Sequence, residues 1–283
     1  MRSDKIFVWL IGAFLIGGVA VVSTIAIRTV PYGGDPEAAF AAEDYDAALE
    51  FWQAQAVDGD ARALIQIGLM YENSLGVFED FPKAAESYLR AAELGQADGY
   101  SKLGALYEQG RGFDTDMDEA MRLYGMAADQ GDAQGQFKLG AFYEIGRYTQ
   151  RSYDEAARLY ALAANQGHSD AQVSLGSLYL AGRGVERNNR EAAKWYRAAA
   201  EGGNAGGQFS MGILFENGIT VPRDYVQAYA WYRLAAVQEY GGAARSLSTI
   251  EEQLSPPELE RAKTLSVEMW ELYVAPFQNG AEG

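Results

Sequence analysis

The sequence predicts an all-α fold, a right-handed α/α superhelical solenoid of helix-turn-helix repeats preceded by one transmembrane helix. Two observations lead to this prediction. Most of the chain repeats itself with a period of 36 residues, and an uncharged apolar run of 22 residues, Ile6–Ile27, lies near its start. Self-similarity at a period of roughly 20 to 50 residues is typical of solenoids, in which each unit buries its apolar face against its neighbours.

The apolar run is long enough to cross a bilayer. As a helix it would extend about 33 Å at ~1.5 Å per residue, against a hydrocarbon core of about 30 Å. A cleaved signal peptide has a shorter apolar region of ~7–15 residues that ends in small residues. This run is longer and keeps Ile25 and Ile27 at its end. We therefore expect an uncleaved anchor at residues 6–27, with a periplasmic protein released by signal cleavage as the alternative.

The charges that flank this run predict its orientation. Arg2 and Lys5 precede it, and Arg28 alone follows it before an acidic stretch. Positive residues favour the cytoplasmic side of a membrane. We expect a single-pass protein of the inner membrane with a cytoplasmic N-terminus and, in a bacterial cell, a periplasmic repeat domain.

Composition excludes several functions. The chain has no cysteine, so disulfides, thiolate nucleophiles and cysteine-ligated metals are excluded, and a single histidine, His168, excludes any mechanism with two imidazoles. The net charge is −16, and residues 35–58 contain seven acids and no base. Nucleic acid repels such a protein. His168 is expected in an exposed turn between repeats, and we predict no catalytic residue, cofactor or metal site.

Each 36-residue unit is predicted to form two helices. The first should end at a Gly-x-Gly turn such as Gly182 to Gly184, because glycine adopts the left-handed conformation that ends many helices. A polar residue then suits the N-cap of the second helix, and these residues are Asp80, Asp116, Asn188 and Asp224. The repeated glycines and tyrosines are Gly68, Gly104, Gly140, Gly176 and Gly212, and Tyr88, Tyr124, Tyr160, Tyr196 and Tyr232.

The repeat pattern resembles a known family. Leu-Gly-x-Leu-Tyr-x-x-Gly-x-Gly, followed by Ala-Ala-x-Trp-Tyr-x-x-Ala-Ala-x-x-Gly, is similar to the Sel-one-like repeats, which are related to the tetratricopeptide repeats. The resemblance covers residues 59–239 as five repeats and implies an α/α solenoid that binds proteins. The third repeat departs from the pattern, because Tyr148 stands in place of the second glycine and Ser152 in place of the aspartate.

The predicted organisation continues to both ends of the chain. Residues 37–58 are in register with a second helix and form a half-repeat. Beyond the repeats we expect a degenerate first helix from about Ala243, and a helix from the cap Ser255 to about Tyr273. The predicted segments are a short tail at 1–5, the transmembrane helix at 6–27, a linker at 28–36, the solenoid at 37–239, capping helices at 240–275 and a disordered tail at 276–283.

The first helices of the repeats are the predicted partner-binding surface. Solenoids of this kind bind peptides or protein surfaces along their inner face. A stripe on these helices mixes apolar and acidic residues, which suits a partner with basic and hydrophobic side chains. The candidates are Arg62, Ile65, Leu69, Glu72, Ser101, Glu108, Phe137, Glu144, Val173, Phe209, Ile213 and Glu216. Packing between repeats is an equal alternative for Ile65, Phe137, Val173 and Phe209.

A basic cluster in the fourth repeat is a second candidate. Arg190, Lys194 and Arg197 fall on one helical face at i, i+4 and i+7. In an acidic protein this patch suits an acidic partner. The alternative is an ordinary solvated face balanced by neighbouring glutamates.

Together these features predict a membrane-anchored scaffold or adaptor that binds unidentified partner proteins in the bacterial envelope and contacts the lipid bilayer through residues 6–27. The alternative is an enzyme or ligand-binder acting on cell-wall material or β-lactams, because cysteine-rich proteins of the resembled family have been assigned β-lactam hydrolysis. The paired cysteines of those relatives are absent here. A third possibility is assembly of a membrane complex through the span, whose glycines lack the Gly-x-x-x-Gly spacing of pairing helices.

Overall fold

A computed structural model of the chain describes residues 31–278, and every regular element in that range is helical. The predicted tail 1–5 and transmembrane helix 6–27 lie outside the described residues. No helix within 31–278 combines the length and the apolar character needed to cross a membrane. A 3-10 turn at Pro31–Gly34 precedes the α-helices. Their bounds are α1 Pro36–Ala41, α2 Tyr45–Val57, α3 Ala61–Asn73, α4 Phe81–Glu93, α5 Asp98–Gln109, α6 Met117–Asp129, α7 Ala133–Ile145, α8 Tyr153–Asn165, α9 Ser169–Ala181, α10 Asn189–Glu201, α11 Ala205–Asn217, α12 Tyr225–Val237, α13 Ala243–Glu251, α14 Pro256–Tyr273 and α15 Ala275–Gln278.

The chain forms two compact units that meet in sequence at Gly95 and Gln96. In the first unit α3 packs against both α2 and α4, and α1 packs against α2. Trp52 and Tyr88 are buried there, and the ring of Phe40 lies 5.5 Å from that of Trp52. This unit therefore has an apolar core of its own.

The second unit contains four helical hairpins, α5–α6, α7–α8, α9–α10 and α11–α12, and each hairpin packs against the next. At its C-terminal end, α13 and α14 both pack against α12, and α15 packs against α14. The Ser255 backbone N–H and hydroxyl both donate to the Glu258 carboxylate at the start of α14. This cap resembles the predicted one, and Met269 farther along α14 is buried.

Caps define the ends of the repeat helices. The side chains of Asp80, Asp116, Asn188 and Asp224 accept hydrogen bonds from the backbone at the start of each second helix, as predicted. In the third repeat Ser152 does the same for α8. The second glycine of the Gly-x-Gly turn, Gly184, packs closely against the backbone of Tyr153. A Cβ on Gly184 would lie 2.0 Å from the Tyr153 carbonyl oxygen, so only glycine fits there.

Glycine and tyrosine interlock inside every repeat hairpin. The glycine of each first helix faces the buried tyrosine ring of the second helix, so a Cβ there would overlap the ring. The distances from such a Cβ to the nearest ring atom are 2.4 Å at Gly68, 3.1 Å at Gly104, 2.8 Å at Gly140, 2.8 Å at Gly176 and 2.5 Å at Gly212. The repeated glycine therefore lets the two helices approach each other closely.

The end of the described chain differs from the expectation of a disordered tail at 276–283. Residues 276–278 belong to α15. The Phe277 ring lies over Gly203, where a Cβ would come within 2.7 Å of it. This apolar contact gives the segment a packing partner, and residues 279–283 lie outside the described range.

Candidate protein-binding site

The first helices occupy the more closely packed side of the second unit. Contacts between α5 and α7, and between α9 and α11, are more extensive than those between any two successive second helices. Helices on the inner side of a curved stack approach each other more closely than those on the outer side. The candidate residues of the second unit lie on these more closely packed first helices.

A tyrosine–glutamate hydrogen bond recurs along the candidate stripe. The buried tyrosine hydroxyl of a second helix donates to a carboxylate 16 residues earlier, at 2.6 Å from Tyr88 to Glu72, 2.6 Å from Tyr124 to Glu108 and 2.7 Å from Tyr160 to Glu144. Tyr232 donates to Glu216 in the same way. Each predicted glutamate is therefore held in one position, and its negative charge stays on the first-helix side.

The surroundings of these tyrosines raise the pKa of the hydroxyl. For Tyr124, Tyr160 and Tyr232 the largest cause is burial, and the adjacent carboxylate adds to it. Glu108 also forms an ion pair with Lys138 at 2.8 Å. These tyrosines are neutral donors at physiological pH, which is the state that orients the glutamates.

The fourth repeat lacks this arrangement. Leu180 stands where the other repeats have glutamate, and the Tyr196 hydroxyl instead lies 3.0 Å from the Ser177 hydroxyl. Ser177 donates to the Val173 carbonyl at 3.0 Å, so its oxygen accepts from Tyr196. The surface near α9 is therefore less acidic than that of the other repeats.

Two predicted candidates are buried and do not form a binding surface. Ile65 is 5% exposed in the core of the first unit, so it packs between helices and does not line a groove. Ser101 is 3% exposed, and its hydroxyl donates to Asp132 at 2.5 Å. The helical spacing of the stripe crosses the edge of the core, and both residues lie on the core side of that edge.

Phe137 combines packing with partial exposure. Its ring stacks on the imidazole of His168 with 4.6 Å between centroids and lies 5.8 Å from the Tyr160 ring. His168 is half-buried, in contrast to the expected exposed turn. Its Nδ1 accepts from the Ala171 backbone N–H, and its Nε2 lies 2.8 Å from the Gln134 amide oxygen. Desolvation lowers the pKa of His168, which fits this neutral tautomer.

A shallow depression of about 290 Å³ opens between α9 and α11. Val173 and Gly206 line it, together with Asp170, Asn204 and Tyr240. Phe209 lies beside it, with its ring 5.3 Å from that of Tyr240 and 5.4 Å from that of Tyr232. Val173 and Phe209 are thus partly packed, yet both border an open surface of mixed apolar and acidic character.

The other candidates differ in exposure. Arg62 is exposed on α3, while Leu69 is half-buried. Ile213 is half-buried and packs against the cluster around Tyr229 and Tyr232. Arg62 and Leu69 belong to the first unit, so they are not assigned to the depression in the second.

The predicted basic cluster lies on the exposed face of α10. Arg190, Lys194 and Arg197 line a depression of about 380 Å³ with Glu201 and Thr220. Lys194 pairs with Glu191 at 3.4 Å on the exposed surface. The three cations therefore share one face, separate from the candidate stripe.

Sequence reasoning missed some residues of this site. Tyr240 follows the last repeat, where the pattern decays, and no periodic signal pointed to it. Gln134 and Ser177 lie on the stripe spacing, but the selected candidate residues did not include them. Within residues 31–278 no three histidine, cysteine or carboxylate groups converge as a metal site.

The repeats of this chain match those of a known family. The family model described as "Sel1 repeat" matches residues 61–96, 97–132, 133–168, 169–204 and 205–238. No curated protein matched the chain. A Sel1 repeat protein from Oxalobacter formigenes is 29% identical with a TM-score of 0.70, covering 83% of this chain and 94% of that one.

A second solved structure is c5321, described as a protective antigen of uropathogenic Escherichia coli with an SLR fold. It is 30% identical with a TM-score of 0.76, and the match covers 87% of this chain. This chain spans about half of the antigen, 56% of its length. On five matched repeats and these two structures, the chain is an all-α repeat solenoid and belongs to the Sel1 repeat family.

Proposed function

We propose that this protein is a scaffold that binds partner proteins along the first helices of its repeats. Sel1 repeat proteins are typically protein–protein interaction scaffolds and are generally not enzymes. The observation that carries the proposal is the surface around the α9–α11 depression, where the partly exposed Val173 and Tyr240 adjoin the exposed carboxylate of Asp170. Such a surface combines apolar contact area with charge, as protein interfaces do.

The carboxylates along the first helices favour a basic partner. The carboxylates of Glu108, Glu144 and Glu216 are held by buried tyrosines and need little reordering on binding. Pre-ordered groups reduce the entropic cost of association. A partner segment with arginine or lysine next to an apolar side chain matches both features.

The location is the finer part of the proposal. Residues 6–27 would anchor the protein in the inner membrane of a bacterium, with the N-terminus in the cytoplasm and a right-handed repeat superhelix in the periplasm. The uncharged run and its flanking bases support this. Fractionation of cells with the full chain, followed by protease treatment of spheroplasts, tests it: repeats protected from external protease would refute the orientation.

A site-specific photocrosslinker tests the binding surface. It is placed at Ser177, which is exposed on α9, in the full chain expressed in its own cells, with Arg158 on the exposed face of α8 as the matched control. We expect discrete crosslinked proteins at position 177 that are absent at position 158. Equal products at both positions, or none at 177, would contradict binding along the first helices.

A further inference from the structure

The first unit contains a second groove, between α2 and α4, with a volume of about 310 Å³. Its floor is formed by Leu64, Ile67 and Tyr71 of α3. Leu64 and Ile67 are buried residues of the core, so the groove reaches the apolar interior. Val57 stands at its α2 wall and is 85% exposed. The apolar side chain of Val57 is therefore open to solvent.

The groove exists because one repeat position carries a small residue. Ser87 lies at its α4 wall, and the equivalent residues of the later repeats are Leu123, Leu159, Trp195 and Trp231. Leu123, Leu159 and Trp231 are buried, at 1%, 2% and 6% exposed. The Ser87 hydroxyl donates to the Lys83 carbonyl at 2.8 Å, one turn back on its own helix. It therefore does not fill the volume that a leucine or tryptophan occupies elsewhere.

Two cations lie at the rim of the groove. Lys83 and Arg90 lie on the same face of α4 as Ser87, at i−4 and i+3. Lys83 pairs with Asp80 at 3.1 Å on the exposed surface, and Glu86 also lines the groove. Arg90 is exposed and makes no ion pair with any described residue.

This basic pair is confined to the first repeat. The positions equivalent to Lys83 are Glu119, Glu155, Glu191 and Gln227, and those equivalent to Arg90 are Met126, Leu162, Ala198 and Leu234. The same repeat thus lacks the large side chain and gains two cations, in a chain of net charge −16. A cavity and a matching charge at one place are the features expected of a site that receives a ligand.

We propose that this groove binds a short peptide of a partner protein, with a leucine, phenylalanine or tryptophan side chain in the space beside Ser87 and a neighbouring carboxylate at Arg90. This site is separate from the first-helix surface and takes peptides of the opposite charge. The apolar side chain replaces the one that the later repeats supply from their own second helix. The carboxylate pairs with Arg90, which stands at a position where the later repeats carry no charged side chain.

Random peptides displayed on phage, selected on the full chain in detergent, test the proposal. We expect enrichment of peptides with a large apolar residue next to Asp or Glu. Affinity of the enriched synthetic peptide is then measured by fluorescence anisotropy. Ser87→Leu should weaken binding about tenfold or more, since it fills the anchor space. Arg90→Glu should weaken binding severalfold and reduce its salt dependence.

Arg245→Glu is the matched control, because Arg245 is an exposed arginine of α13. It should leave the affinity unchanged. Arg90 is exposed too, so its variant keeps the fold, and thermal denaturation should show that Ser87→Leu is no less stable than wild type. Equal peptide affinity in Ser87→Leu, equal losses in the two arginine variants, or the absence of acidic apolar peptides among those selected would overturn the proposal. Crosslinking at Ser177 in the Ser87→Leu variant reports on the first-helix surface independently.

Discussion

Replacing the interlocking glycines by alanine should destabilise the protein in an order set by their distance to the tyrosine ring. At Gly212 a Cβ would lie 2.5 Å from the Tyr232 ring, and at Gly104 it would lie 3.1 Å from the Tyr124 ring. Tyr232 is 1% exposed and its hydroxyl is held by Glu216, so the ring has no room to move away. Gly125 on α6 provides the control, since a Cβ there meets nothing within 4 Å.

The magnitude follows from two opposing effects. Alanine in place of glycine inside a helix stabilises it by about 1 kcal/mol. Overpacking of a tight core costs about 1–3 kcal/mol. Gly125→Ala should therefore raise the stability by up to ~1 kcal/mol, and Gly212→Ala should lower it by up to ~2 kcal/mol. Gly104→Ala should fall between them, because its contact lies in the range that a small shift of the ring relieves.

Urea and thermal denaturation followed by circular dichroism measure these differences. A change of 1 kcal/mol corresponds to roughly 2–4 °C in the melting temperature of a domain of this size. Gly125→Ala should have the highest melting temperature and Gly212→Ala the lowest, with the wild type and Gly104→Ala between them. If Gly212→Ala were as stable as Gly125→Ala, the close approach of glycine to tyrosine would not be what the repeat requires.

Two further predictions concern polar groups of the repeats. Tyr160→Phe should lower the free energy of unfolding by about 1–3 kcal/mol, because it removes the buried donor to the Glu144 carboxylate. Tyr196→Phe should lower it less, because Ser177 is exposed and can bond water. Equal losses of stability in urea denaturation would refute a role for the carboxylate. His168→Asn should keep the helix cap, since Asn204 caps α11 at the equivalent position. Desolvation lowers the folded-state pKa of His168, while the carboxylates of Asp170 and Asp132 oppose this shift. The unfolded chain therefore binds the proton more readily, and wild-type stability should fall as pH drops below about 6.5, the ordinary value for histidine, by more than that of His168→Asn. Parallel melting temperatures of the two proteins from pH 8 to pH 5 would contradict this.

The periodic features of the fold could be predicted from the sequence because they depend on local chemistry. The caps Asp80, Asp116, Asn188 and Asp224 act within one turn of their own helix. The 36-residue spacing of glycine and tyrosine marks the positions where helices meet. Both the caps and the spacing can be recognised in the sequence without knowledge of the tertiary structure.

The candidate binding surface was harder to predict, because helical spacing defines a face of a helix but not the edge of the core. Ile65 and Phe137 occupy equivalent positions in the first and third repeats, yet Ile65 is buried while Phe137 is half-buried against His168. The tyrosine–glutamate bonds join residues 16 positions apart on different helices, which the spacing within one helix does not reveal. The groove at Ser87 depends on a missing side chain, and its signal was the difference between one repeat and the others rather than their similarity.

The C-terminal helices change how the end of the second unit should unfold. In a repeat protein each unit usually couples only to its immediate neighbour, so terminal units fray independently. Here α14 contacts both α12 and α10, and Phe277 covers Gly203 at the turn after α10. α12 belongs to the fifth repeat and α10 to the fourth. The contact between α14 and α10 therefore reaches past the fifth repeat to the fourth. Hydrogen exchange should therefore show α10 through α14 opening as one cooperative block, with a single free energy, rather than as a gradient that decreases towards the C-terminus.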